Sequence, residues 1–256
     1  MATHDLLREA LSNGATSVGG CPYTDPEPVR HIDLILDLAE RFGVPADFHI
    51  DFDLDPLGSH LPALASATKT RGLQGRVSVG HATKLAAMAP EEADRMADLL
   101  ADAGIAVVVL PATDLFLNGR EADRLVPRGV ARADRLAARG VRTAIASNNI
   151  LNPFTPYGDA SLIRMANLYA NVAQLASDDE LALAFDMVTS RAAEVIGMTA
   201  RLAVGEAADL VVLDAADPAS AVREIAPPVA GFKNGRQTFD RPAPRLLGPA
   251  RPGSSL

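Results

Sequence analysis

Five short segments rich in apolar residues read as strands, a weak one at residues 15–19 and others at 46–50, 77–81, 105–110 and 142–147, and each runs within a few residues into polar or glycine residues and then a segment with helical spacing. A strand that is apolar along its whole length is covered on both faces, as parallel strands are. Strand followed by amphipathic helix, repeated, restricts the chain to an α/β fold. The clearest helix is 28–42, with Ile32, Ile35, Leu36, Ala39 and Phe42 on one side and Gly43 as its stop. Further helices are expected at 61–71, 90–103 and 130–139, with a loop around Asn118-Gly119-Arg120. After the fifth strand come helices at 161–175 and 178–196, the second opened by the capping box Ser177-x-x-Glu180 and closed by Gly197. Polar residues at every strand end are what a (β/α) barrel shows at its catalytic face. A doubly wound sheet is the alternative, but no glycine-rich phosphate signal follows the first strand.

The character changes after residue 200. Residues 205–214 read as a strand, Pro218, Pro227 and Pro228 as a linker, and Asn234-Gly235 as the type I′ turn of a hairpin. The chain therefore divides into a (β/α) portion at 1–200, a small β segment at 201–240 and a Pro-, Gly- and Ser-rich tail at 241–256 expected to be disordered. Hydrophobic residues at 48% and charged residues at 22% fit a globular protein. A net charge of −8 argues against nucleic acid or an anionic membrane as partner. Cys21 is the single cysteine, so no internal disulfide forms and a reducing cytoplasm is expected. The first ten residues lack the apolar core of a signal peptide, and no run has the roughly 18 apolar residues of a membrane span.

Of the five histidines, His4 falls near the N-terminus, His31 on a helix and His60 in a loop, where structural roles suffice. His49 and His81 end successive strands, where a barrel aims side chains at its ligand; imidazole there is either a metal ligand, a proton carrier or a hydrogen-bonded structural group. If the second strand continues past His49, alternation puts Asp51 and Asp53 on the same face, and either could supply a carboxylate; both could equally cap a helix or be solvated.

The segment Ala146-Ser147-Asn148-Asn149-Ile150-Leu151-Asn152-Pro153-Phe154-Thr155-Pro156-Tyr157-Gly158 resembles the last barrel strand of cytosine-deaminase-like amidohydrolases, which reads G-S-D-N-I-x-D-P-x-x-P-x-G. His49-Ile50-Asp51 resembles that family's H-x-D-E motif, His81-Ala82-Thr83 its S-H-x-T motif, and Leu110 to Arg120 its seventh strand with the loop N-P-x-x-N-x-x-L-Q-G-R. Gly205 to Asp214 and Lys233-Asn234-Gly235-Arg236 resemble its small β-sandwich. The resemblance implies a partial TIM-like barrel of about five units and a hydrolase that uses a divalent metal, zinc or iron, to direct water at a C–N bond of a small nitrogen heterocycle. It implies His49 and Asn148 as metal positions, and His81, with Asp51, as catalytic. Substrate contacts fall to Asp114, Asn118, Arg120, Asn149 and Phe154, with Phe116 and Phe154 walling the ring; plain core packing is the alternative for both Phe residues. Arg120 has a plainer alternative as the ion-pair partner of Glu121 or Asp123.

Three departures bear on the chemistry. Asn148 stands where the family has a metal-binding aspartate, and an amide is neither a base nor an anionic ligand. Phe52 stands where it has a proton-carrying glutamate. No H-x-H pair occurs in the 256 residues, and five strands are fewer than a closed barrel requires. The unpaired edges would need cover. The readings are a homo-oligomer, domain swap or complementing chain, a truncated or split gene product, or a start upstream of Met1. A catalytically degenerate homologue that binds a small molecule is the alternative to an active hydrolase.

Overall fold

A computed structural model describes residues 3–242; the expected disorder of the tail falls, beyond 242, outside the described residues. The first element is a helix that the sequence reading did not assign, α1 (Thr3–Ser12). The repeating units follow: β1 (Val18–Gly20), α2 (Pro28–Phe42), β2 (Ala46–Ile50), α3 (Leu61–Thr70), β3 (Val77–His81), α4 (Pro90–Asp102), β4 (Ala106–Val109), α5 (Pro111–Leu117), α6 (Ala133–Ala138) and β5 (Thr143–Ile145). After these come α7 (Leu162–Ala173), α8 (Asp178–Asp186), α9 (Ser190–Val195), β6 (Leu210–Leu213), α10 (Pro218–Arg223), β7 (Pro228–Lys233) and β8 (Arg236–Asp240).

Strands β1 to β5 form one parallel sheet in sequence order. No strand reverses that order, so the sheet lacks the switch point of a doubly wound fold. Right-handed crossovers in constant order put all connecting helices on one side. The burial pattern shows it. Ala46, Phe48, Ile50, Val77, Val79, Val107, Val109 and Ile145 are buried, whereas on the opposite face Asp47 is exposed and His49, Ser78 and Val108 are only partly covered. Three strands, β6, β7 and β8, make a separate antiparallel sheet. Its turn is as expected: Asn234 (φ 49°) and Gly235 (φ 73°) are both left-handed, between the paired Lys233 and Arg236.

Four local expectations are corrected. Residues 111–117, read as the way into a loop, are helical because Pro111 opens the turn and the Asp114 carboxylate accepts a bond from the Leu110 amide, 3.3 Å. The helix expected over 178–196 keeps its capping box but breaks into α8 and α9. Its Met187 carbonyl accepts the Ile145 amide of β5, 2.9 Å, and so leaves the helical ladder. Pro218 begins α10 rather than lying in a linker, since the Asp217 side chain caps the Ser220 amide at 2.8 Å. Helix α10 buries Ala219 and Val222 in the main core, and the Val222 carbonyl accepts Asn167 of α7 at 2.9 Å. The helix expected at 130–139 is shortened to α6.

A polar tie joins α6 to α7. The buried Tyr169 hydroxyl donates to Asp134 Oδ1 (2.6 Å) and accepts the Asp134 amide (3.0 Å), while Arg132 donates twice to the same carboxylate (2.8 and 2.6 Å). Burial raises the Asp134 pKa, but the bonds from Arg132 and Tyr169 outweigh it and hold the group below the usual carboxylate range. A depressed folded-state pKa contributes stability above the unfolded value of about 3.9, lost as the pH falls through the folded value. Asp134→Asn is expected to lower stability at pH 7 and to flatten the acid limb below about pH 4. Urea melts across pH check this; parallel acid limbs would contradict it.

Candidate active site

The polar ends of β2, β3 and β5 meet at one rim of the sheet. Strand β2 stops at Ile50 because Asp51 turns into the left-handed region (φ 53°), and β3 ends in His81 at φ 70°. Beyond β5, Asn148 is also left-handed (φ 56°). Such backbone in non-glycine residues costs about 1–3 kcal/mol each and survives only where the surroundings over-determine it, as they do at ligand sites. His49 points onto the open face of the sheet, and the strained end of β3 carries the His81 ring to it.

A continuous hydrogen-bonded line results. Asp114 Oδ1 lies 2.6 Å from His81 Nδ1, and His81 Nε2 lies 3.0 Å from His49 Nδ1 and 3.4 Å from Asn148 Nδ2. Asp114 and His81 are buried, and His49 is half-buried. Burial pushes the Asp114 carboxyl upward against the pull of His81 and the Leu110 amide. Burial and then the neighbouring His81 hold His49 below the usual imidazole value, so it is neutral at pH 7. Where His81 Nδ1 donates to Asp114, its Nε2 accepts from His49 Nδ1 and faces the Asn148 amide, so a proton held at one end of the line fixes the tautomer at the other.

The structure thus brings His49, His81, Asp114 and Asn148 together. Asp51 is elsewhere. Its fully buried carboxylate accepts Ser59 Oγ (2.5 Å) and the His60 amide (3.0 Å) at the start of α3, because the break at residue 51 ends the alternation that would have kept it on the His49 face. Asp53 binds Lys84 instead, 2.6 Å. Asn149 Oδ1 accepts Asn152 within the following loop (2.8 Å), and Asn118 donates to the Asp114 carbonyl (3.1 Å) at the end of α5. Arg120 is exposed and lies 5.1 Å over the Phe116 ring rather than in an ion pair with Glu121 or Asp123. Phe154 is 59% exposed, and the ring that meets Phe116 is that of Tyr157, centroids 5.8 Å apart. The sequence reading did not foresee the ring of Phe52 over His81, centroids 4.4 Å apart, nor the bond of Lys84 to the neighbouring Asp53. An apolar aromatic two residues past a strand end, in a segment otherwise acidic, was the available signal for Phe52.

These residues do not make a complete metal site. Among the described residues no group of three or more His, Cys, Asp or Glu is placed to hold a metal ion. The cluster offers two imidazoles and a neutral amide, and a catalytic zinc site takes three protein ligands with an open fourth position. The carboxylate bonded to the pair, Asp114, is on the far nitrogen of His81, and Asp47 on the His49 face of the strand is bonded to Ser78 Oγ instead. Among the described residues, too, no helix is long and apolar enough to cross a membrane.

A parallel sheet with a histidine–carboxylate cluster at its strand ends serves many chemistries, and comparison places the chain in a family. The model of the amidohydrolase family matches residues 6–239, and this chain belongs to that family. It is 34% identical over 201 residues to a pterin deaminase of Rhizobium rhizogenes, covering 77% of this chain and 46% of that one. An N-isopropylammelide isopropyl amidohydrolase of a Pseudomonas species is 29% identical over 241 residues, covering 92% of this chain and 56% of the relative. The crystal structure of a 5-methylcytosine deaminase from Klebsiella pneumoniae, liganded with 5-fluorocytosine, superposes with a TM-score of 0.91 at 27% identity, covering 97% of this chain and 61% of that one. The chain spans about half the length of the curated relatives it matches.

Proposed function

We propose that the protein is a hydrolase of C–N bonds in small nitrogen heterocycles, with His81, oriented by Asp114, as its proton carrier. The line from Asp114 through His81 to His49 is the observation that carries this reading. The relatives named above, a pterin deaminase and an ammelide amidohydrolase, support the substrate class. In the reaction, water adds to the ring carbon that bears the amine. Water takes the place of the His49 contact at His81 Nε2, which accepts one water proton and passes it to the leaving nitrogen. The C–N bond breaks, ammonia or an amine departs, and the hydroxyl left on the carbon gives its proton to the ring nitrogen to become a ring carbonyl. His49 lies beside Nε2 and Asn148 offers an amide to the same place, so both are placed to orient the water or the nascent carbonyl. A divalent zinc or iron at this point would require ligands from beyond the described residues.

The half-open face of the parallel sheet supports reading the fold as part of a closed barrel, with the covering strands supplied by a second copy or a complementing chain. A single cysteine goes with a cytoplasmic location. The competing reading, a homologue that binds heterocycles without hydrolysing them, is favoured by the incomplete ligand set. Ammonia release from a panel of pyrimidines, triazines and pterins separates the two. Turnover of any member is the expected result. Thermal stabilisation by heterocycles with no ammonia from any of them would overturn hydrolysis and favour binding alone.

A further inference from the structure

Above the polar line lies a row of rings. Phe52 sits on His81 (centroids 4.4 Å, planes at 58°), and Tyr23, in the turn after β1, meets Phe52 at 5.9 Å and 53°. Phe52 is half-buried and Tyr23 is 36% exposed, so the row is not closed over by the protein. Core packing would bury such rings; these form an apolar corner facing outward at the strand ends.

The backbone under Phe52 is held with unusual completeness. On one side, Asp51 is fixed by Ser59 and His60, and its carbonyl accepts Thr83 Oγ1 at 3.0 Å. On the other, the Asp53 carbonyl accepts the same hydroxyl at 2.9 Å. The buried ammonium of Lys84 then gathers the Asp53 carboxylate (2.6 Å) and the carbonyls of Asp55 (2.8 Å) and Leu57 (2.9 Å). Both neighbours of Phe52 are pinned, with residue 51 in a strained conformation. A rigid loop that fixes one ring beside a reacting group is the arrangement by which a site positions a ligand.

We infer that Phe52, with Tyr23 at its edge, is the stacking wall that makes this site selective for flat, unsaturated rings over puckered ones. The inference rests on the heterocycle reading above. Aromatic faces attract planar π-systems in offset or tilted contact, and a saturated ring that puckers loses that contact. Stacking of a nucleobase on an aromatic side chain corresponds to roughly 5- to 150-fold in affinity by alanine substitution.

The test is calorimetric titration of the 256-residue chain with pterin, cytosine and 5,6-dihydrouracil, in the parent, Phe52→Ala and Phe52→Tyr. The expected result is that at least one flat ring binds the parent more tightly than dihydrouracil does. Phe52→Ala should weaken the flat ring at least about fivefold and erase its advantage over dihydrouracil, and Phe52→Tyr should restore both. Phe52→Tyr keeps the ring, so a folding defect confined to the alanine variant does not decide the outcome. The inference is overturned if neither flat ring binds the parent, if dihydrouracil binds as tightly, or if the selectivity survives Phe52→Ala. Binding without ammonia release would overturn the hydrolytic reading and leave the wall in place. Ammonia release that is indifferent to Phe52→Ala would do the reverse.

Discussion

His81→Gln is expected to lower ammonia release from the preferred heterocycle by roughly 10²–10⁴-fold, the usual contribution of a positioned proton carrier. Glutamine keeps a polar group near the buried Asp114, whereas alanine would leave that carboxyl without its partner and confuse a folding loss with a catalytic one. The two atoms 2.6 Å apart also predict how their losses combine. In the reaction Asp114 acts through His81 Nδ1, while its other oxygen accepts the Leu110 amide, a bond the Asn side-chain oxygen can keep, so Asp114→Asn should reduce kcat with KM little changed. The double variant should be hardly slower than His81→Gln alone, because groups serving one proton transfer are not additive. Single-turnover and steady-state rates of the three variants check this. Multiplicative losses would show that Asp114 has a separate role, and full activity in His81→Gln would remove the proton carrier from the proposed mechanism.

Much of the fold was legible because its signals are short-range. Apolar residues mark the parallel strands, unbroken in β4 and alternating with polar ones in β2, and Gly43, Ser177-x-x-Glu180 and Asn234-Gly235 punctuate the chain by local backbone chemistry that tertiary packing did not override. What escaped was decided partly by long-range bonds and partly by local caps and turns that the sequence reading passed over. Nothing near Met187 in sequence says that its carbonyl will pair with Ile145, forty-odd residues away, and so split one helix into two. Pro218 in a Pro-rich stretch reads as linker until Asp217 is seen capping Ser220. The same division runs through the site. His49 and His81 were singled out because strand ends on a parallel sheet converge, and Asn148 because its segment resembles the family's last barrel strand; the structure brings the three together. Asp51 was misplaced because alternation was carried one residue past the end of β2, and the left-handed turn at that residue reverses the face. The pairing of Asp114 with His81 crosses 33 positions and depends on α5.

Lys84→Met should destabilise the protein by about 3 kcal/mol at pH 7. The side chain is 5% exposed, yet its ammonium holds three oxygens of the 53–57 loop. Methionine matches the stem in length and apolar contact, so the loss isolates the charge. Breaking a buried ion pair costs about 3–5 kcal/mol when the abandoned partner stays buried. Asp53 is half-exposed and can take water in place of Lys84, which brings its share down. The Asp55 and Leu57 carbonyls lose their donor as well, each worth about 1 kcal/mol or more where water cannot replace it. The loop should therefore loosen before the sheet does. Urea denaturation gives the global loss, and amide hydrogen exchange should show faster opening at 53–57 than in β2 or β3. A loss below about 1 kcal/mol, with unchanged exchange in the loop, would mean that Thr83 and Asp51 hold the segment without Lys84. Because this segment carries Phe52, a loosened loop should also weaken the binding of flat rings while leaving the contact between Asp114 and His81 intact.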